Sequence, residues 1–138
     1  MGQQGGVCCH RNGEKVVLVT YGTLLQNAME AADILSSRGI EPGVLRLLTV
    51  APLPSALVAA QLPQNAHVVV LEEVCGGSGI CQALAWDLAG LRPDCHVSGI
   101  DLGHRYIPHG SIASLHQYCG LMPEQIADFV MEARCCEN

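Results

Sequence analysis

The stretch best suited to chemistry is LEEVCGGSGI, residues 71–80, in which two carboxylates stand directly before a glycine-rich loop. A strand-like apolar run precedes it and a helical pattern follows it. A glycine-rich turn between a strand and a helix N-terminus commonly holds an anion on backbone N–H groups. Two adjacent carboxylates disfavour a bare phosphate there, because Glu72 or Glu73 can satisfy the same N–H groups internally. The candidate residues of this stretch are Glu72, Glu73, Gly76, Gly77, Ser78 and Gly79.

Three interpretations of the glycine loop stay open. Its glycines can allow close packing of the helix against the strand, the loop can face a partner, or it can form a ligand pocket. A glycosidase-type carboxylate pair is excluded, because adjacent residues at the end of an extended strand point to opposite sides and cannot easily flank one bond.

A second candidate group follows the last predicted strand, where His104, Arg105 and His109 lie in a loop bounded by glycine and proline. These side chains could bind a phosphate or extend toward a neighbouring domain. In a purely structural interpretation, Arg105 pairs with Asp101 or another acid. Arg105 and His109 are therefore kept as partner-facing or anion-binding candidates.

Eight cysteines are present without a C-x-x-C pair. The vicinal pairs Cys8–Cys9 and Cys135–Cys136 are poor disulfide candidates, and the N-terminal residues contain no apolar core of the signal-peptide type. Cys8, Cys9 and His10 could contribute metal ligands, but the spacings of zinc sites are missing. We therefore expect reduced thiols, no metal site and a cytoplasmic protein.

Alternating strand-like and helical patterns must position these residues. Apolar, β-branched runs bounded by turn residues predict buried strands. The predicted strands are residues 16–20, 44–48, 67–71 and 96–100, with residues 6–11 as an additional edge strand. Asn12–Gly13 predicts a tight reversal after that edge strand.

Helical patterns separate the predicted strands. Thr23 is predicted as the N-cap of the first helix, with Gln26 completing a capping box and Gly39 ending the helix. Further helices are predicted over residues 52–62, over about 80–89, from Ser111 to Gly120, and from Pro123 onward.

Two of these helices carry an apolar stripe. In the third helix, Trp86 and the Ile80–Leu84–Leu88 spacing predict core packing or a dimer-facing stripe. The last helix is predicted to turn one apolar face inward, formed by Ile126, Phe129, Val130 and Ala133.

Strand–helix repetition predicts one α/β domain over residues 1–138, with an ordered core of about 6–134. The expected fold has three layers, α/β/α, around a mostly parallel sheet of about five strands with one antiparallel edge strand. Charged residues make up 14% of the chain, against about a quarter in an average domain, so another protein is expected to cover part of its surface. The net charge of -6 disfavours nucleic acid and anionic membrane as partners, and no apolar run approaches the ~20 residues of a membrane span.

Four motifs in order resemble the C-terminal domain of transketolase-type, thiamine-diphosphate enzymes. They are YGT before the first helix, PLP after the second long strand, LEEVCGGSG after the third, and DLGHRYIPHGS after the fourth. The closing GLMPEQI fits the same pattern. Within this superfamily the chain is most similar to 1-deoxy-D-xylulose-5-phosphate synthases, although Pro54 stands where an acid is usual and Cys75 and Cys81 flank the glycine loop.

The resemblance implies a non-catalytic assembly or dimerisation domain of a larger enzyme. In that family, thiamine diphosphate and magnesium are held by other domains, so no cofactor is expected in this chain. The parent reaction would condense pyruvate with glyceraldehyde 3-phosphate and release CO2, toward isoprenoid precursors. The expected partners are the other domains of the parent or a second copy of the chain. The alternative is a freestanding module that binds a nucleotide or coenzyme A on the same fold.

The resemblance also implies where the candidates meet. The family's sheet places residues 16–20 centrally, so the strand order reverses between Tyr21–Gly22–Thr23 and Glu72–Gly79. We expect these two segments and His104–His109 to form one surface toward the rest of the enzyme. Glu72 is expected to turn inward onto backbone N–H groups.

Overall fold

A computed structural model of the chain describes residues 3–4, 6–21, 24–49, 53–72, 80–100 and 123–137. Six strands and four helices lie within these ranges. The strands are β1 (Gln3–Gln4), β2 (Val7–Arg11), β3 (Val16–Thr20), β4 (Gly43–Leu47), β5 (His67–Leu71) and β6 (His96–Ile100). The helices are α1 (Leu25–Ser37), α2 (Ser55–Gln61), α3 (Cys81–Leu91) and α4 (Pro123–Glu137).

The six strands form one mixed sheet in the order β1-β2-β4-β3-β5-β6. Neighbours from β4 to β6 are parallel, and β2 runs antiparallel to β4. Every residue of β3 and β5 is buried, which fits their largely apolar sequences because both sheet faces are covered by helices. The predicted α/β/α fold and its antiparallel edge strand are confirmed. The two-residue β1, which extends this edge, was not predicted.

The reversal at Asn12–Gly13 connects strands that are not neighbours. The chain does reverse there, but β4 lies between β2 and β3. The connection therefore passes the start of β4, where the Glu14 N–H donates to the Glu41 carbonyl at 3.0 Å. Gly13 lies so close to Pro42 and Gly43 that a Cβ on it would overlap their backbone atoms. Glycine is required at this crossing for steric reasons.

The two ends of α1 differ in how well they were predicted. The helix begins at Leu25 with Leu24, not Thr23, at the N-cap position, and the Leu24 side chain makes no capping hydrogen bond. The Gln26 amide donates instead to Glu30 at 2.7 Å. The C-terminal stop is confirmed, because Gly39 has a φ of +87°. Its N–H and that of the next residue close the last turn on carbonyls of the helix.

Helices on the two faces of the sheet bury two apolar clusters. On one face, α1 and α4 pack together, and their shared cluster includes Leu18, Leu35 and Ile126. On the other face, α2 and α3 pack together over a cluster that includes Val68 and Leu84. The structure therefore has the three layers that strand–helix repetition predicts.

The last two helices largely match their predicted faces. In α4, Ile126 and Val130 are fully buried and Phe129 is partly buried. In α3, Leu84 and Leu88 are core residues, whereas Trp86 is 82% exposed, so core packing of Trp86 is wrong. The predicted inward position of the Ala133 side chain and the predicted helix from residue 111 to 120 lie outside what the structure describes.

Candidate functional site

The site is built where β3 and β5 end side by side. These strands are paired in parallel register, with Thr20 opposite Leu71. The next residues, Tyr21 and Glu72, therefore leave the sheet together at its carboxyl edge. The Tyr21 hydroxyl donates a hydrogen bond of 2.9 Å to Glu72 Oε1.

Glu72 also binds the start of α3. Its Oε1 accepts the Ile80 N–H at 2.6 Å, and its Oε2 accepts the Cys81 N–H at 3.0 Å. A carboxylate at this position complements both the unsatisfied N–H groups and the positive end of the helix dipole. The expectation that Glu72 turns inward onto backbone N–H groups is confirmed, and the groups belong to Ile80 and Cys81.

The Glu72 carboxylate is buried, so it needs hydrogen-bond partners within the protein. Glu72 is 2% exposed, and a buried carboxylate is tolerated only where hydrogen bonds or opposite charges replace its hydration. Three donors from two different elements supply that replacement. The carboxylate thereby connects the end of β3, the end of β5 and the beginning of α3, and we refer to this set of contacts as the Glu72 clamp.

Close packing beneath the clamp fixes the beginning of α3 on the sheet. A Cβ placed on Gly99 of β6 would lie 2.6 Å from Cys81 Sγ. Farther along α3, Asp87 accepts a hydrogen bond of 2.6 Å from Ser55 at the start of α2. The helix is thus positioned at its beginning and at its middle by specific contacts, and a glycine in the strand permits its close approach.

A second polar cluster secures the far end of α3. The Arg92 guanidinium donates to the carbonyls of Ala59, Leu62 and Pro63 at 2.8 to 3.0 Å, which satisfies the end of α2. It also pairs with Asp94 at 3.1 Å. The hydrogen bond from Arg92 holds the pKa of the Asp94 carboxyl well below its usual range, and the Asn65 N–H adds to this effect. This cluster is structural, because its donors are used on backbone carbonyls and one carboxylate.

Two surface clefts, of about 220 and 310 Å³, lie at the opposite end of the sheet. The smaller is lined by residues that include Gly13, Val17 and Gly43, and the larger by residues that include Lys15 and Gly39. Both are therefore at the amino ends of β3 and β4. Ligands of open parallel sheets gather at the carboxyl ends instead, so neither cleft coincides with the Glu72 clamp.

Metal and thiol chemistry has little support among the residues that the structure describes. They contain no group of three His, Cys, Asp or Glu side chains arranged to hold a metal ion. No disulfide joins Cys8, Cys9, Cys81 or Cys95. Burial raises the pKa of the Cys95 thiol, which makes it a poor nucleophile. In the described segments no helix is both long and apolar enough to span a membrane.

Of the candidate residues, the structure places Tyr21 and Glu72 and brings them together. The remaining candidates, from all three predicted segments, lie outside its described ranges: Gly22, Thr23, Glu73, Gly76, Gly77, Ser78, Gly79, His104, Arg105 and His109. The hydrogen bond between Tyr21 and Glu72 was not predicted. Its signal was available, because both residues directly follow strands that are neighbours in the expected sheet.

Comparison with known protein families gives a match over most of the chain. The family model described as "Transketolase, C-terminal domain" matches residues 5–126. The chain is 33% identical over 122 residues to 1-deoxy-D-xylulose-5-phosphate synthase from Chlorobium luteolum, which covers 88% of this chain and 19% of that protein. The synthase from Trichormus variabilis is also 33% identical, over 123 residues, covering 89% and 19%. The chain therefore spans about a fifth of the length of these curated relatives.

Solved structures share the fold. A split gene transketolase, described as an inactive beta4 tetramer, superposes with a TM-score of 0.73 at 24% identity, covering 92% of this chain and 41% of that one. A transketolase from Pichia stipitis gives a TM-score of 0.67 at 17% identity, covering 92% and 18%. At these identities the structural likeness establishes the fold and leaves function to be argued from the site.

Proposed function

Because the chain belongs to the transketolase C-terminal domain family, we propose that it is a non-catalytic assembly domain of a 1-deoxy-D-xylulose-5-phosphate synthase-like enzyme. Its role is to hold the carboxyl edge of the sheet against the remainder of that enzyme. The parent reaction, on this proposal, is the condensation of pyruvate with glyceraldehyde 3-phosphate with release of CO2.

The Glu72 clamp is the observation that carries the proposal. At the switch point of an open parallel sheet, the start of the following helix is the usual position for a phosphate. Here the Ile80 and Cys81 N–H groups are already engaged by Glu72. A diphosphate would meet a buried carboxylate at that position, so the described residues do not fit thiamine diphosphate. We expect the cofactor and its magnesium to be held by the rest of the enzyme.

The same observation disfavours the alternative of a freestanding nucleotide- or coenzyme A-binding module. Such a ligand brings phosphates that require N–H donors or cations. The chain has only seven lysines and arginines against thirteen acids, and the N–H groups at the start of α3 are taken. The acidic balance and the clamp therefore both favour assembly over anion binding.

Three segments make up the proposed partner-facing surface: Tyr21–Thr23, Glu73–Gly79 and His104–His109. The clamp supports this grouping, because it holds Tyr21 and the start of α3 at one edge of the sheet. A chain with 14% charged residues can present such a surface without a large desolvation cost.

Calorimetric titration tests the proposal directly. The chain should show no binding of thiamine diphosphate with magnesium and no turnover of pyruvate. Micromolar binding of the cofactor would overturn the assembly role. Micromolar binding of ATP or coenzyme A would favour the freestanding binding module instead.

Alanine substitution in the full parent enzyme tests the partner-facing surface. Arg105→Ala and His109→Ala should leave the fold intact and reduce assembly or turnover. Arg38→Ala, which removes a surface ion pair with Asp128 on the outer side of α1 and α4, is the matched control and should change neither. If both loop variants assemble and turn over like the parent, the loop is scaffolding only.

A further inference from the structure

The connection between β2 and β3 places an exposed asparagine directly before a glycine. Asn12 is exposed and, together with Gly13, lines the cleft of about 220 Å³ at the amino ends of β3 and β4. The side-chain carbonyl carbon of an asparagine lies within reach of the next main-chain nitrogen, so the two groups can react within one molecule. Asn12–Gly13 is therefore a candidate site for covalent change of the main chain.

The nitrogen that would react is not engaged in a hydrogen bond. Among the backbone hydrogen bonds of the described residues, none is donated by the Gly13 N–H, whereas the Glu14 N–H donates to the Glu41 carbonyl at 3.0 Å. Glycine also has no Cβ to hinder approach to its nitrogen. A Cβ at position 43 would lie 3.0 Å from this nitrogen, but that residue is a glycine too. Both glycines leave the nitrogen accessible to the Asn12 side chain.

The Asn12 carboxamide is held only weakly. Its Oδ1 accepts a hydrogen bond from the Cys9 thiol at 3.4 Å, and a thiol is a weak donor. The cleft beside it admits water and leaves room for the side chain to turn. The side chain can therefore turn toward the Gly13 nitrogen without the loss of a strong contact.

Two other asparagines in the described part of the chain lack this combination. Asn27 and Asn65 are each followed by an alanine, whose Cβ hinders approach to its nitrogen. Both alanines, Ala28 and Ala66, are fully buried, so water has little access to the junction. Asn27 and Asn65 therefore serve as internal standards for Asn12.

We propose that Asn12–Gly13 is a site of spontaneous deamidation through a cyclic imide. The Gly13 nitrogen forms a bond to Asn12 Cγ, its proton passes to the departing amino group, and ammonia leaves. One water then opens the imide at either carbonyl and gives aspartate or isoaspartate at position 12. Water is the only co-reactant, and nothing is oxidised or reduced. The inference is independent of the assembly role proposed above.

Isoaspartate would disturb the contact between β2 and β4. It adds one methylene group to the main chain directly before Gly13. Gly13 lies so close to Pro42 and Gly43 that even a Cβ has no room there. On the other side of the site, Arg11 is paired in register with Val44 of β4. The longer main chain should therefore push the end of β2 away from β4.

Incubation of the full, folded chain in water labelled with heavy oxygen, at mildly alkaline pH, tests the site. Peptide mapping by mass spectrometry should show conversion at Asn12 at least about tenfold faster than at Asn27 or Asn65, because glycine leaves its nitrogen unhindered. Each new aspartate or isoaspartate should carry one heavy oxygen, which distinguishes it from material converted before the incubation. Asn12→Ser, which removes the carboxamide, should take up no heavy oxygen at position 12.

Hydrogen exchange tests the effect on the edge strand. In the isoaspartate fraction, the amides of β2 should exchange at least about tenfold faster than in the unmodified chain, whereas those of β5 should not change. Asn12→Asp is the matched control, because it adds the same charge without lengthening the main chain. Its β2 amides should exchange as in the unmodified chain.

Conversion at Asn12 that is no faster than at Asn27 or Asn65 would overturn the inference. Conversion that takes place only after the chain is unfolded in urea would also overturn it, because the folded chain would then protect the site. If the isoaspartate fraction and the unmodified chain exchange their β2 amides alike, the proposed effect on the edge strand is wrong.

Discussion

The Tyr21 hydroxyl lies 2.9 Å from Glu72 Oε1, and it joins two residues that are 51 positions apart in the chain. The same carboxylate accepts the first N–H groups of α3. One buried side chain therefore holds together the end of β3, the end of β5 and the following helix. The stability of the domain should depend on it.

Glu72→Ala should lower the free energy of unfolding by about 2–4 kcal/mol, because it removes the acceptor of three partly buried hydrogen bonds. Glu72→Gln should cost less, since one amide oxygen can still accept a hydrogen bond. Urea unfolding followed by circular dichroism measures both. Glu30→Ala, at an exposed acid on α1, should change stability by no more than about 0.5 kcal/mol. An unchanged urea midpoint for Glu72→Ala would refute the clamp.

Tyr21→Phe should cost about 1–2 kcal/mol, because it removes a hydrogen bond to a carboxylate. A double-mutant cycle with Glu72→Gln should give a coupling energy of about 0.5–3 kcal/mol, as expected for residues in direct contact. The same cycle between Tyr21→Phe and Glu30→Gln should be additive. Additivity in both cycles would show that the Tyr21–Glu72 contact contributes nothing to stability.

Gly13→Ala and Gly90→Ala should change stability in opposite directions. At Gly13 the added methyl group would overlap the backbone of Pro42 and Gly43, so the variant should lose about 1–3 kcal/mol. At Gly90 the methyl group enters open space on a helix, where alanine is favoured over glycine by about 0.5–1 kcal/mol. Thermal unfolding of both variants at low protein concentration tests this. If Gly13→Ala is as stable as the native chain, the backbones of Gly13, Pro42 and Gly43 can move apart enough to accept the methyl group.

Protonation of Asp94 should lower the stability of the folded protein in acid. Its pKa is depressed in the folded state, chiefly by the hydrogen bond from Arg92, whereas an unfolded aspartate titrates near 3.9. Its contribution is therefore present above a pH of about 4 and is lost as the pH falls further.

Asp94→Asn lacks this contribution, so the gap in urea midpoint between the native chain and the variant should narrow as the pH is lowered from about 6 to about 3. Asp33→Asn removes the same charge from an exposed position on α1 and controls for net charge. A difference in urea midpoint that stays constant over this pH range would show that the pKa of Asp94 is not lowered in the folded protein.

The sequence by itself determined the local elements and the family. Apolar runs located β3 and β5 to the residue and β4 to within one residue, because a strand buried on both faces must be largely apolar along its length. β6 was also located to the residue, although its residues 96–99 are exposed or half-buried. Proline and glycine at element ends were equally informative, as at Pro123 and Gly39. Four ordered motifs sufficed for the transketolase-type resemblance, which the family match confirmed.

Only the tertiary structure decided how these elements meet. The inward position of Glu72 was predicted, but the N–H groups that it binds, those of Ile80 and Cys81, depend on where α3 packs. The insertion of β4 between β2 and β3 and the Tyr21–Glu72 bond both join residues distant in sequence. The outward position of Trp86 could not be read from α3, because that helix is apolar on nearly every side. Local sequence patterns indicate which residues avoid water. The hydrogen-bond partner of a side chain, the neighbour of a strand and the buried face of a helix depend on contacts between elements that are distant in sequence.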